Sequence, residues 1–205
     1  KEKAGQLADR LRSEGAKVIE FPCIETIINP ENEDFNQAMG ELKNYSYMVF
    51  TSPNGVEKFF TKLRDNNLDI RILHSLKVAA VGQQTKKLLE ERGLIVDYMP
   101  KVYDSIHLAD GLVKEFEGEK KIMLIRGKMA TSILPDALEK AGIGYRNVLV
   151  YDTLYKNPME DFLEDDMHDI DYAVFSSAST VEGFTKALPM DFSKVHAICI
   201  GDMTA

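Results

Sequence analysis

The stretch VFTSPNGVEKFF, Val49 to Phe60, decides the fold because the chain carries it twice. A β-rich apolar run, Tyr47 to Phe50, gives way to small polar residues, Thr51 to Gly55. A helical pattern follows, with Val56, Phe59, Phe60 and Leu63 on one face. Shifted by 125 positions the pattern returns as VFSSASTVEGFT, Val174 to Thr185. Phe50 falls on Phe175, Ser52 on Ser177, Val56 on Val181, Glu57 on Glu182 and Phe59 on Phe184. A strand that ends in hydroxyls and opens a helix offers unpaired backbone N–H groups, and these suit an anion. The repeat therefore predicts two anion-accepting mouths.

Two further pairs extend the repeat. LADRLRSEG (Leu7 to Gly15) matches LPDALEKAG (Leu134 to Gly142) at an offset of 127, and the match runs on to Thr26 and Thr153. AVGQQT (Ala80 to Thr85) matches CIGDMT (Cys199 to Thr204) at an offset of 119. The preserved order predicts a duplicated α/β unit, and so long a period means two domains rather than a solenoid. By the same offsets nothing matches the strand Ile122 to Ile125, nor the helix and strand after Thr85. The pattern thus expects a strand ahead of Lys1 and further structure beyond Ala205.

Between the repeats, Leu7 and Leu11 predict a helix over 1–14 that stops at Gly15. Ala16 to Ile28 predicts a buried strand running into an extended segment, broken at Asn29 and Pro30. Helices are expected over 34–43, 84–92 (stopped by Gly93), 105–116 and 133–141 (stopped by Gly142). Strands are expected over 78–81, 95–98, 122–125 and 147–151, the last running out to Asn157 and Pro158. Such alternation argues for parallel sheets with helices on both faces, where ligands collect at the carboxyl ends of the strands. The hydroxyl-bearing turns 51–55, 82–85, 176–180 and 201–204 all fall at that edge.

Composition excludes several classes. With 44% hydrophobic and 28% charged residues the chain is not disordered. Its net charge of −8, with acid concentrated from Met159 to Asp171 on a solvated helix face or linker, argues against nucleic acid. No apolar run reaches the ~20 residues that span a bilayer. Cys23 and Cys199 lie far apart in apolar runs, which predicts buried reduced thiols and a cytoplasmic setting. His74, His107, His168 and His196 are scattered, so no metal site is expected. Neither a G-x-S-x-G elbow nor a G-x-G-x-x-G fingerprint occurs. RGKMATS, Arg126 to Ser132, lacks the first glycine of a Walker loop, which leaves Arg126 and Lys128 as anion contacts or as plain surface charge. The hydroxyl loops have a plainer reading too, as ordinary helix caps. Tyr151 ends an apolar strand where the second half enters its connector. Its phenol is either a proton donor or a core-edge hydroxyl reaching water.

Together FTSPNGVEKFF, KVAAVGQQT with LLEERGLIVDYMP, LIRGK with LPDALEKAG, VLVYDT and FSSASTVEGF resemble the uroporphyrinogen-III synthase family over essentially the whole chain. The resemblance implies an α/β fold of two similar parallel-sheet domains, joined by a two-stranded β-ladder with a cleft between them. Domain 1 would be 1–27 plus 156–205, domain 2 would be 34–147, and 28–33 with 148–155 would form the ladder. The family is a cyclising lyase of heme biosynthesis. It closes linear hydroxymethylbilane to uroporphyrinogen III, inverting the last pyrrole ring through a spiro intermediate. The resemblance also implies no cofactor, a monomer, and the upstream hydroxymethylbilane-producing enzyme as a partner. It makes Tyr151 the residue that assists loss of hydroxide. Substrate binding would fall to Thr51, Ser52, Pro53, Asn54, Gly82, Thr85, Arg126 and Gly127, with Ser176, Ser177, Ser179 and Thr204 in the second copy. The residues alone also admit a non-enzymatic two-domain receptor that closes on a small polyanion.

Overall fold

The computed structural model describes residues 2–31, 33–116, 120–158, 170–188, 193, 195–201 and 204–205. Most of the acidic run, 159–169, and residues 202–203 of the last turn lie outside these residues. In chain order the elements begin α1 (Glu2–Ser13), β1 (Ile24–Ile28), α2 (Glu33–Gly40), β2 (Tyr45–Phe50), α3 (Pro53–Asp65), β3 (Lys77–Ala80) and α4 (Gln83–Glu91). They continue α5 (Ser105–Glu115), β4 (Lys121–Gly127), α6 (Ile133–Lys140), β5 (Tyr145–Tyr155), β6 (Tyr172–Phe175), α7 (Ala178–Ala187) and β7 (His196–Cys199). The chain divides into two compact units, Lys1–Glu25 with Leu154–Ala205, and Thr26–Thr153.

The larger unit is built on a sheet in the order β1-β5-β4-β2-β3, within which β2 to β5 are mutually parallel. Alternate side chains of β2 enter two cores. Met48 and Phe50 pack with Phe35, Phe59 and Leu89, while Tyr47 and Val49 pack with Leu108, Leu112, Leu134 and Leu138. A strand covered on both faces must be apolar throughout, which is why Tyr45–Phe50 carries only Ser46 as a small polar residue. Phe59 anchors the first core with edge-on contacts to Phe35 and Phe50 at 5.8 and 5.4 Å.

The smaller unit repeats the central part of this design. β6 and β7 are parallel, and Phe175 pairs with Cys199 as Phe50 pairs with Ala80. Even the hydrogen bond beyond each strand recurs: Val81 N–H donates to Phe50 O, and Ile200 N–H to Phe175 O, both at 3.1 Å. Here α7 covers one face, with Phe184 edge-on to Phe21 and Phe175. The other face differs. Tyr47, Val49 and Ala79 are buried under α5 and α6, but their counterparts Tyr172, Val174 and Ile198 are exposed.

The expected helix stops at Gly15, Gly93 and Gly142 all have positive φ, at 92°, 86° and 69°. Each is followed by the long closing bond of a Schellman turn: Ala16 N to Leu11 O, Leu94 N to Leu89 O, and Ile143 N to Leu138 O, at 3.1, 3.0 and 2.9 Å. α3 closes in the same way on Asn67 (φ 53°), with Leu68 N–H donating to Leu63 O at 2.9 Å.

Two expected strands are shorter in the structure. Of Ala16–Ile28 only Ile24–Ile28 is a strand, because Pro22 withholds an N–H and 16–20 is largely exposed. The run 95–98 is reduced to a single bridge, Ala79 to Tyr98. There the Asp97 carboxylate itself takes the Val78 N–H at 2.7 Å, a place that a neighbouring main chain would otherwise fill.

A side chain added at Gly93 would meet nothing within 4 Å, so its cost is purely conformational. Gly93→Ala should lower the unfolding free energy by about 1 kcal/mol, and Asn67→Gly should raise it by up to about 1 kcal/mol. Urea unfolding measures both. A neutral Gly93→Ala would show that the turn does not require its left-handed residue.

Candidate functional site

The loops after β2 and β4 leave the sheet in opposite directions: β2 leads through α3 to β3, and β4 leads through α6 to β5. Neighbouring parallel strands whose connections diverge leave a crevice at their carboxyl ends, the usual ligand position in such sheets. The Thr51–Gly55 turn sits on one side of this crevice and Arg126–Lys128 on the other.

Ser52 is the N-cap of α3. Its backbone is extended (φ −160°, ψ 154°) and its Oγ accepts the Gly55 N–H at 3.0 Å. Pro53 follows at the first helical position, where the missing N–H costs nothing, and Asn54 comes next. Gly55 lies close to β4: a Cβ there would be 3.4 Å from Ile125 O and 3.3 Å from Ser52 Oγ.

Across the crevice the β4–β5 register slips. Arg126 pairs with Leu149, but Gly127 pairs with Tyr151, so Val150 is an extra residue in β5. The slip sets Tyr151 beside Gly127, and a Cβ on Gly127 would fall 2.5 Å from ring atoms Cε2 and Cζ. The phenol occupies the room that the glycine leaves. Its oxygen lies 3.2 Å from Ser52 Oγ, which joins the two sides of the crevice. Lys128 N–H donates to Tyr151 O at 3.0 Å, and the Lys128 side chain, 61% exposed, stands 3.8 Å from Asp152.

The remaining expected residues divide. Arg126 is buried, and its guanidinium donates to Ala130 O at 2.6 Å, to Thr131 O and to Asn147 Oδ1 at 3.4 Å. Burial pushes its pKa down, yet a guanidinium stays charged in proteins. Arg126 therefore fixes the loop after β4 and is not the plain surface charge that the sequence also allowed. Gly82 caps α4, and a Cβ there would be 3.1 Å from Tyr103 Cβ. Thr85, at the third position of α4, is only 2% exposed and faces the interior, not solvent. Sequence reasoning missed Tyr103, whose hydroxyl accepts from Gln83 Nε2 at 3.3 Å. No motif marks it, because a loop after the 95–100 segment carries it to that edge.

In the smaller unit Ser177 caps α7, and its N–H donates to Thr180 Oγ1 at 3.2 Å. Its own Oγ lies 3.0 Å from Ser179 Oγ, while Ser176 is exposed. Thr204 is half-buried, with its N–H on Gly201 O at 2.9 Å. The counterpart of Tyr151 here is Ile24, packed on Gly183 where a Cβ would be 2.9 Å from its Cγ2. Among the described residues, it is the larger unit that sets a phenol against its capping serine. Among the described residues no cluster of three or more His, Cys, Asp and Glu could hold a metal ion.

Fold and site define a mixed α/β protein with a parallel sheet and a hydroxyl-lined crevice at its carboxyl edge. The chain belongs to the uroporphyrinogen-III synthase family: the model of that family, uroporphyrinogen-III synthase HemD, matches residues 5–205. It is 35% identical over 210 residues to the porphyrin biosynthesis protein HemD of Ruminiclostridium josui, covering 100% of this chain but 41% of that protein. It is 28% identical to the uroporphyrinogen-III synthase of Chlorobaculum parvum, covering 92% of this chain and 76% of that one. Among solved structures, a mutant uroporphyrinogen III synthase of Thermus thermophilus superposes with a TM-score of 0.70 at 18% identity, covering 100% of this chain and 84% of that one. The Helicobacter pylori enzyme superposes with a TM-score of 0.62 at 18% identity, over 93% of this chain and 82% of that one. These two structures share the fold.

The seat of the phenol makes a structural prediction. Gly127→Ala should cost about 1–3 kcal/mol of stability, the range for overpacking. The loss should shrink clearly when Tyr151→Ala has already emptied the space. Equal losses in both backgrounds, measured by denaturant unfolding, would contradict the packing described.

Proposed function

We propose that the chain closes hydroxymethylbilane to uroporphyrinogen III, acting as a cyclising lyase of tetrapyrrole biosynthesis. Family membership supports this reading over a passive receptor. The observation that carries it is the phenol of Tyr151 held at the switch point of the sheet, beside a helix N-terminus built to accept anions.

The chemistry asks little of the protein beyond folding the substrate and donating one proton. The phenol proton passes to the terminal hydroxyl of the substrate, the C–O bond breaks with its electron pair on oxygen, and water leaves. The adjacent pyrrole nitrogen supplies the electrons that stabilise the resulting azafulvenium, so no cofactor is needed. Attack by the last pyrrole ring on the methylene carbon of that cation gives the spiro intermediate. Reopening breaks the ring's original methylene link, closure through its other α-carbon completes the inverted macrocycle, and the proton lost there returns to the phenolate. A net charge of −8 is no help to a polycarboxylate substrate, so binding relies on local dipoles. The N-terminus of α3 presents the Thr51–Asn54 turn and about half a positive charge. The turn Ser176–Ser179 at α7 offers the same in the smaller unit, and Lys128 adds a formal cation at the crevice. On this reading 28–33 and 148–155 connect the two units, and the enzyme acts as a cytoplasmic monomer fed by the enzyme that makes hydroxymethylbilane.

Incubation with freshly prepared hydroxymethylbilane, followed by resolution of the product isomers, tests the proposal. The expected product is the inverted isomer; only the uninverted isomer, formed at the rate seen without protein, would contradict it. Tyr151→Phe should keep the melting transition, because the ring remains on Gly127. It should slow the inverted isomer by about 10²-fold or less, the low end for a positioned acid, because the leaving group ionises readily. Full activity in this variant would make Tyr151 a packing residue only.

A further inference from the structure

Resting on that reading of Tyr151, we infer that Ser52 is a positioning residue that acts on the reaction through the phenol rather than by holding substrate. The geometry assigns its hydroxyl two tasks at once. One lone pair of Oγ takes the Gly55 N–H at 3.0 Å, which caps α3. The same oxygen lies 3.2 Å from the Tyr151 hydroxyl. An oxygen that accepts from a helix N-terminus is polarised by that bond and by the helix dipole, so it is a weakened acceptor and a strengthened donor. The Ser52 proton therefore points to the phenol oxygen, and the phenol proton is left free to point into the crevice. When Tyr151 gives up that proton, the negative charge formed on its oxygen already holds a hydrogen bond backed by the start of α3.

Gly127 completes the arrangement by fixing the ring, since any Cβ there would enter the space of Cε2 and Cζ. The smaller unit shows that capping alone does not call for this geometry. Its corresponding serine, Ser177, pairs with Ser179, and the residue that aligns with Tyr151, Ile24, packs on Gly183 instead.

The test compares Ser52→Ala, Ser52→Thr, Tyr151→Phe and the Ser52→Ala/Tyr151→Phe double variant in steady-state turnover of hydroxymethylbilane. A positioning role predicts that Ser52→Ala lowers kcat roughly three- to tenfold, the worth of one hydrogen bond, with KM little changed. Ser52→Thr, which keeps the hydroxyl, should restore kcat. In the Tyr151→Phe background Ser52→Ala should lower kcat no further. A raised KM with unchanged kcat, or full additivity of the two substitutions, would overturn the inference and leave Ser52 a substrate contact or a cap. A readout without substrate separates this inference from the proposed activity. The 13Cζ resonance of Tyr151 in protein labelled at tyrosine should shift in Ser52→Ala and return in Ser52→Thr. A resonance unmoved by Ser52→Ala would overturn the inference even if the parent turns over, whereas a shifted one in a parent without turnover would keep the bond and overturn the proposed activity instead.

Discussion

The space above the Cα of Gly127 can hold a Cβ or the ring of Tyr151, and not both. That exclusion depends on a single register slip, in which Val150 drops out of the pairing between β4 and β5. Without the slip Gly127 would face Val150, and since neighbouring residues of a strand point to opposite faces, the phenol would turn away from the crevice. The slip, the glycine and the parallel order of the strands together deliver one hydroxyl to the N-cap of α3. What the larger unit can do chemically follows from that delivery.

The duplicated frame gives this constraint an internal control. Both units carry parallel strands in the same register, the same strand-to-helix turn and a capping serine. They differ at the position of Tyr151, which aligns with Ile24, and in what covers the far face of the sheet. Ile24 in place of Tyr151 packs on α7 through Gly183, so the smaller unit uses the equivalent position for cohesion. A frame that folds with either residue does not demand a phenol. On the proposed function, chemistry at one end of an asymmetric linear substrate does.

Features governed by local physics were legible in the sequence. Gly15, Gly93 and Gly142 were readable as helix stops because the left-handed turn they supply is costly for other residues, whereas Asn67 does the same work without so clear a mark. The parallel sheet was readable from the alternation of strands with helices, and the apolar run Tyr47–Phe50 is indeed buried on both faces. The strand expected over 95–98 was not, because a carboxylate, Asp97, took the place of a main-chain partner. Arg126 could be picked out as a buried or exposed cation only once the carbonyls of Ala130 and Thr131 were seen to surround it. The bond between Ser52 and Tyr151 spans 99 positions and depends on the register slip, neither of which leaves a pattern in the chain.

The central claim is that the ligand occupies the crevice between the ends of β2 and β4. Elsewhere in the larger unit there is an open cavity of about 320 Å³, lined by Tyr98, Lys101, His107 and Lys114 among others, so the claim has a concrete competitor. Titration of the 15N-labelled protein with uroporphyrinogen III, followed through the backbone amide resonances, tests it most directly. The account predicts that the largest shifts fall on Ser52, Asn54, Gly55 and Lys128. Shifts confined to Tyr98 and Lys101 to Lys114, with the amides of 52–55 unmoved, would contradict it.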